Sequence, residues 1–338
     1  MKKKILAALV VGAMAASLAA CGSSASNDAA TSGAEGSSSE AANGETYKIG
    51  ICQLVQHDAL DAATQGFQDA LTEKLGDSVT FDVQNASGDS ATCATITNQF
   101  VADGDDLIMA NATASLQAAA SATDSIPILG TSVTDYATAL EISDWTGTVG
   151  GNISGTSDLA PLDQQADLVK ELFPDATTVG ILYCSAEPNS VYQAEHMTEY
   201  LEELGYTVAS YTFADTNDVS SVTTTACAQS DVIYIPTDNT AASCTEAIAN
   251  VALPAKTPIV AGEEGIVAGC GVAALSIDYY DLGYQTGLQA YEILVNGADI
   301  STMAVETAAD VTKKYNPTIC EELGITIPDG YEAIETEE

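Results

Sequence analysis

Three stretches of this chain recur in the same order at nearly constant spacing. "KIGICQ" (48–53) returns as "TVGILY" (178–183), which places Gly180 130 residues after Gly50. "DDLIMANATA" (105–114) returns as "SDVIYIPTDN" (230–239), with Asp231 125 residues after Asp106. "IPILGTS" (126–132) returns as "TPIVAGE" (257–263), with Pro258 131 residues after Pro127. Any one echo is weak, because buried parallel strands all read as apolar runs. Three in order describe a duplicated lobe. Strand-like runs at 47–55, 79–86, 106–112, 127–133, 177–183, 206–213, 231–236, 257–262 and 271–277 alternate with helix-like segments, among them 58–75, 90–103, 161–173, 189–204, 240–252 and 279–296. That alternation is the pattern of βαβ units. The expected fold class is α/β, with two doubly wound, Rossmann-like lobes. A tail returns after the second repeat, so the chain crosses between lobes more than once and forms a hinge. The expected division is 47–152 plus about 278–308 for lobe I and 153–277 plus about 309–338 for lobe II. The Gly-rich "GTVGGNISGTS" (147–157) reads as the first crossing. It is no phosphate loop: no Lys-Ser/Thr follows it, and no G-x-G-x-x-G occurs.

Charge narrows the partners. The 338 residues carry a formal net charge of −39, from 48 acidic side chains against 9 basic ones, all of them Lys. Nucleic acid is excluded as a partner, because its phosphates would be repelled. Without Arg, an anionic ligand group must be held by backbone N–H groups, hydroxyls, helix N-termini or Lys rather than by a guanidinium fork. Residues 1–21 read as a lipoprotein signal peptide: Lys2-Lys3-Lys4, then an apolar run too short to span a membrane, then "LAAC" ending at Cys21. Small residues before Cys21 form a lipobox, so Cys21 is the expected lipidation site. Residues 22–46 are Gly/Ser/Ala-rich and read as a flexible linker. The protein is thus expected to be exported and lipid-anchored on the extracytoplasmic face. Beyond Cys21 the cysteines are Cys52, Cys93, Cys184, Cys227, Cys244, Cys270 and Cys320, an odd number without a Cys-x-x-Cys pair. They read as buried thiols, with one bridge open. With only His57 and His196, no metal-site spacing occurs and no cofactor is expected.

Open α/β sheets bind ligands at the carboxyl ends of their strands. In lobe I those ends offer His57, Leu60, Thr113, Ser115, Ser132 and Asp135; in lobe II they offer Glu187, Asn189, Ser190, Asp238 and Asn239. Asp278 lies at a crossing, where hinge and ligand roles are both open. His57 either stacks on an aromatic ligand or caps a helix, and Leu60 either lines the pocket or belongs to the core. Thr113 and Ser115 stand where a strand gives way to a helix, as a carboxylate grip or as caps. Asp238 has the same two readings, an ammonium grip or a helix cap. Hydroxyls in one lobe facing acids in the other suit a zwitterion, which favours the grip. Glu263 and Glu264 read as a solvated helix start.

Several further stretches carry a family resemblance: "QHDALDAATQGFQDAL" (56–71), "DLIMANATASLQAAA" (106–120), "SVTD" (132–135), "GNISGTSDLAP" (151–161), "EPNSVYQ" (187–193), "PTDNTAAS" (236–243) and "IDYYDLGYQTG" (277–287). Over about 48–328 the chain resembles the ABC-transporter substrate-binding lipoproteins of the tryptophan/tyrosine type. It departs at Ala114 and Tyr136, where members commonly carry Pro. The resemblance implies the type I periplasmic-binding-protein fold. It implies capture of a small solute, an amino acid with aromatic ones favoured, and delivery to ABC permease subunits. A ligand-binding surface sensor, or a receptor for a branched-chain amino acid, nucleoside or sugar, is the alternative. No enzyme is expected, since no G-x-S-x-G, H-E-x-x-H or Walker motif is present.

Overall fold

The computed structural model describes residues 46–308 and 310–334. The signal segment with Cys21, and the linker except for Thr46, lie outside the described residues. Lobe I runs β1 (Tyr47–Gln53), α1 (Asp58–Leu75), β2 (Val79–Asn85), α2 (Ser90–Asp103), β3 (Leu107–Asn111), α3 (Thr113–Ala122), β4 (Ile128–Thr131), α4 (Tyr136–Ala139) and β5 (Ile153–Ser157). Lobe II follows with α5 (Leu162–Leu172), β6 (Thr178–Cys184), α6 (Pro188–Glu203), β7 (Thr207–Phe213), α7 (Val219–Gln229) and β8 (Val232–Ile235). It continues with α8 (Asn239–Ala242), α9 (Thr245–Ala255), β9 (Ile259–Ala261), α10 (Glu264–Gly269) and β10 (Ala273–Ser276). The tail supplies α11 (Tyr279–Leu294), β11 (Glu306–Thr307), β12 (Thr312–Tyr315), α12 (Pro317–Leu323) and β13 (Glu332–Ala333).

The sheets are ordered β11-β5-β4-β3-β1-β2 and β13-β12-β10-β9-β8-β6-β7. Both contain the same doubly wound core, in which the first strand of the lobe lies between the second and the third. The repeat extends to individual bonds. Asp106 Oδ2 accepts from Lys48 N at 2.8 Å, and Asp231 Oδ2 accepts from Thr178 N at 2.9 Å, each acid sealing the start of its lobe's first strand. Pro127 O accepts from Ile108 N at 2.9 Å, as Pro258 O does from Ile233 N at 3.0 Å. The echoes in the sequence are therefore equivalent places in two lobes.

Both faces of each sheet are covered, so the strands read as continuous apolar runs. In lobe I, Ile49, Ile51, Leu107 and Met109 pack with Phe67 and Leu71 of α1, and Ile108 and Ala110 pack with Phe100 and Leu116 of α2 and α3. The tail helix α11 lies against α1 at close range: a Cβ on Gly283 would stand 1.9 Å from Ala63 O. Residues 279–294 thus return to lobe I and β12 returns to lobe II, pairing antiparallel with β10.

One boundary differs from expectation. Residues 153–157 are not the crossing but strand β5, paired in parallel with β4. The first crossing follows Ser157, and lobe I extends past 152. The glycines misled because Gly155 is required by packing. Its φ is +140°, and a Cβ there would meet Gly130 O at 2.0 Å and the Tyr136 hydroxyl at 2.5 Å. Tyr136, one of the two departures, is buried in lobe I with its hydroxyl donating to Thr156 O at 3.1 Å. It fills the core and not the cleft.

Candidate functional site

In both lobes the first strand is flanked by the second and third, so the loops after the first and third strands diverge and leave a crevice at the carboxyl edge. The crevices face each other. Lobe I contributes the His57 turn after β1 and the Ser132–Thr134 turn after β4, where Ser132 adopts φ +53°. Lobe II contributes Thr237, Asp238 and Asn239 after β8, with Asn189 from the first turn of α6. Asp158, directly after β5, and Tyr279, at the start of α11, close the hinge side. The space enclosed is about 10 Å³, room for roughly one water. A second cavity of about 290 Å³ adjoins it, sharing Asn239 and lined by Leu54, Val55 and Ala114 of lobe I and Ala186, Glu187 and Asp215 of lobe II.

The small cleft gathers polar atoms without partners. Asp158 Oδ1, His57 Nδ1, Ser132 Oγ and Thr237 Oγ1 are all buried and make no hydrogen bond. Buried polar groups are almost always paired. Four exceptions in one cleft point to a missing partner. The tautomer of His57 follows from its neighbours. Asn239 Nδ2 donates to Glu187 Oε2 at 2.7 Å, which turns Asn239 Oδ1 toward His57 Nε2 at 3.2 Å. Nε2 therefore carries the proton, and Nδ1 is an acceptor. Burial pushes the imidazole pKa down, which keeps the ring neutral.

The unpartnered atoms then form two sets. Asp158 Oδ1 and His57 Nδ1 accept, as an ammonium requires. Ser132 Oγ and Thr237 Oγ1 can donate, as a carboxylate requires. Asp158 is 5 % exposed, and Tyr279 Oη donates to its other oxygen at 3.0 Å. Burial pushes its carboxyl above the ordinary range. Its charge is not balanced by any Lys, since none lines the cleft.

The expected residues fall into three groups. His57, Leu60, Ser132, Asn189, Asp238 and Asn239 line the cleft. Asp238 does so with both oxygens engaged: Oδ1 accepts from Ala241 N at 2.7 Å and Oδ2 from Cys184 N at 2.6 Å. Asp238 caps α8 and ties β8 to the end of β6, which is the cap of its two expected readings, while its side chain still lines the cleft. Burial, and then the charge of Glu187, push its carboxyl up to about 7. Glu187 lines the larger cavity and holds α8 from outside, accepting from Thr240 N at 2.8 Å.

The remaining five do not line the small cleft. Thr113 and Ser115 are buried at the start of α3, and the Ser115 hydroxyl faces Cys52 and Cys93. Asp135 caps α4 through Thr138 N at 2.6 Å. Ser190 is buried on α6, where its hydroxyl supports Asp238. Asp278 is exposed, caps α11 through Asp281 N at 3.0 Å and borders a separate crevice. Capping accounts for these acids: Asp at a helix start accepts the free N–H groups of the first turn.

Asp158, Thr134 and Tyr279 were missed as individual site residues, as was Glu263. Asp158 and Tyr279 stand in stretches that carry the resemblance, but the mistaken crossing hid the strand that delivers Asp158. Glu263 does start a helix, accepting from Gly265 N and Ile266 N at 2.6 and 2.7 Å, but it is 2 % exposed rather than solvated. Burial pushes it up to about 7. His196 lies away from the cleft on α6, against Tyr192. Among the described residues no group of His, Cys, Asp and Glu could hold a metal ion.

A family model described as ABC transporter substrate binding protein matches residues 48–336. A tyrosine-binding protein of Clostridioides difficile is 37% identical over 309 residues, covering 90% of this chain and 88% of that protein. A Streptococcus pneumoniae ABC domain solved in complex with L-Trp is 36% identical, with a TM-score of 0.81 over 86% of this chain and 100% of that one. The ligand-free, open structure of a Clostridium difficile substrate-binding protein with adhesive properties is 38% identical, with a TM-score of 0.66 over 86% of this chain and 100% of that one. At matched identity, the two lobes here resemble the tryptophan complex more than the open form.

Proposed function

The chain belongs to the ABC transporter substrate binding protein family, and we propose that it captures a free aromatic α-amino acid, tyrosine or tryptophan, in the cleft between its lobes. It is an extracytoplasmic binding protein and not an enzyme. Capture here serves import by an ABC transporter. The observation that carries the ligand reading is the set of four unpartnered buried atoms. Asp158 Oδ1 and His57 Nδ1 receive the ammonium, and the hydroxyls of Ser132 and Thr237 receive the carboxylate. An absent Arg is no obstacle, because the carboxylate needs only neutral donors. The relatives that bind tyrosine and tryptophan support the aromatic side chain, and the 290 Å³ cavity beside the cleft supports its size. The cleft itself is small, so the ligand enters with the lobes apart and they close over it.

Thermal shift with the twenty amino acids tests this reading, together with tyramine, which lacks the carboxylate, and 3-(4-hydroxyphenyl)propionate, which lacks the amine. Tyrosine or tryptophan at a hundred times Kd should stabilise by about 2.7 kcal/mol. Both truncated compounds should bind more weakly. If no amino acid raises the melting temperature, the zwitterion reading is wrong. The finer localisation is also our reading: Cys21 carries the lipid anchor, and Cys21→Ser should release the chain from the membrane fraction.

A further inference from the structure

We propose that Cys52 and Cys93 form a disulfide once the chain is outside the cytoplasmic membrane, a modification site behind the lobe I side of the cleft. Cys52 is in β1, Cys93 is in the first turn of α2, and both are 0 % exposed. Their sulfurs lie 3.6 Å from one and the same atom, Ser115 Oγ at the start of α3. The fold thus brings two thiols from segments 41 residues apart to a single hydroxyl. Four other thiols are placed differently: Cys184, Cys244, Cys270 and Cys320 each donate to a backbone carbonyl. Cys52 and Cys93 have each other.

The two side chains also interact directly, each being the largest influence on the other's ionisation. Both thiols are sealed in the folded lobe, so the exchange belongs to folding, before lobe I closes over the pair. The oxidant is a disulfide of small-molecule or oxidoreductase type. The Cys93 thiolate attacks one of its sulfurs, forming a mixed disulfide and expelling the other sulfur as a thiolate. Cys52 then gives up its proton and attacks Cys93 Sγ, expelling the second sulfur. Two electrons pass to the oxidant, which leaves as two thiols carrying the protons of Cys52 and Cys93. Extracytoplasmic proteins meet such oxidants, and burial afterwards shields the bond from reduction. The bond would tie the end of β1, which leads into the His57 turn, to the helix whose first residue, Ser90, lines the larger cavity.

The test uses the full chain carrying Cys21→Ser, refolded from denaturant with oxidised glutathione. Free thiols are then alkylated in denaturant and mapped by peptide mass. The expected result is that two of the seven remaining thiols disappear and one cross-linked peptide joins Cys52 to Cys93. The melting temperature should fall on reduction by several degrees, and this fall should vanish in Cys93→Ser. Seven alkylated thiols overturn the proposal, as does a bridge between any other pair at equal yield. Peptide mapping of the Cys21→Ser parent decides the matter even if Cys93→Ser fails to fold.

Discussion

Tyr279 Oη donates to Asp158 Oδ2 at 3.0 Å, so the start of the returning helix α11 is bonded to the segment that leaves β5. Two crossings between the lobes are therefore joined through a carboxylate whose other oxygen points, unpartnered, into the cleft. The group proposed to meet the ammonium is thus built into the hinge. Asp158→Asn keeps the shape and the Tyr279 contact but removes the charge. A hydrogen bond to a charged group is worth about 1.5–3 kcal/mol, so affinity for the amino acid should fall about ten- to hundredfold. Calorimetric titration checks this, and unchanged affinity would remove Asp158 from the site. Tyr279→Phe should cost less, about two- to tenfold, because the carboxylate remains.

Asp238→Asn should behave in the opposite way. Asn still offers one oxygen to Ala241 N, but its amide NH2 then meets the Cys184 N–H that the carboxylate now satisfies at 2.6 Å. A buried donor left unpaired costs about 1–3 kcal/mol. Melting curves should shift down by a few degrees while affinity changes less than in Asp158→Asn. Equal stability with a hundredfold loss of affinity would restore Asp238 as the ammonium partner.

The bond from His57 Nε2 to Asn239 Oδ1 spans the cleft between α1 and α8. Asn239→Ala deletes it, together with the acceptor that fixes the His57 tautomer, and leaves Asp158, Ser132 and Thr237 in place. Such a bond contributes about 0.5–1.5 kcal/mol to the closed arrangement, so affinity should drop about two- to tenfold. Small-angle scattering should show a larger radius of gyration for the ligand-free variant than for the ligand-free parent. If both scatter alike, the bond does not hold the lobes together.

The fold was largely legible because buried parallel strands leave a long apolar signature, and because duplication repeated it. The Asp106/Asp231 and Pro127/Pro258 pairs could be found from spacing alone, and each pair proved equivalent in hydrogen bonding. What spacing could not reveal was whether a polar residue at a strand end faces the cleft or its own helix. Asp135, Asp238 and Asp278 look alike in sequence, each an acid before a helix, and each is a cap. Asp158 looks unlike them, follows a strand disguised by Gly155, and is the one of the four whose free oxygen is buried. The sorting depends on side-chain direction across the interface between lobes, which no local pattern encodes.

The cleft should also respond to pH. Burial holds Asp238 and Glu263 at about 7, well above the ordinary carboxylate value near 4. Between about pH 4 and 7 the folded chain therefore keeps protons that unfolding releases. Stability contributed by these groups is full below about 4 and is lost as pH rises through 7, at up to about 1.4 kcal/mol per pH unit for each carboxyl. His57 works against this on the acid side, because burial lowers its pKa and unfolding lets it take up a proton. Ligand reverses the slope. An ammonium favours ionised carboxylates, Asp158 first, so binding releases protons and tightens as pH rises from about 5.5 to 8. Melting curves across that range, for the parent and for Glu263→Gln, separate this from general charge repulsion, which both chains share. The variant should show the shallower decline. Calorimetry in two buffers of different ionisation enthalpy should report proton release on binding. Affinity that weakens as pH rises, or a Glu263→Gln melting profile parallel to the parent's, would mean that these buried carboxylates do not govern the cleft.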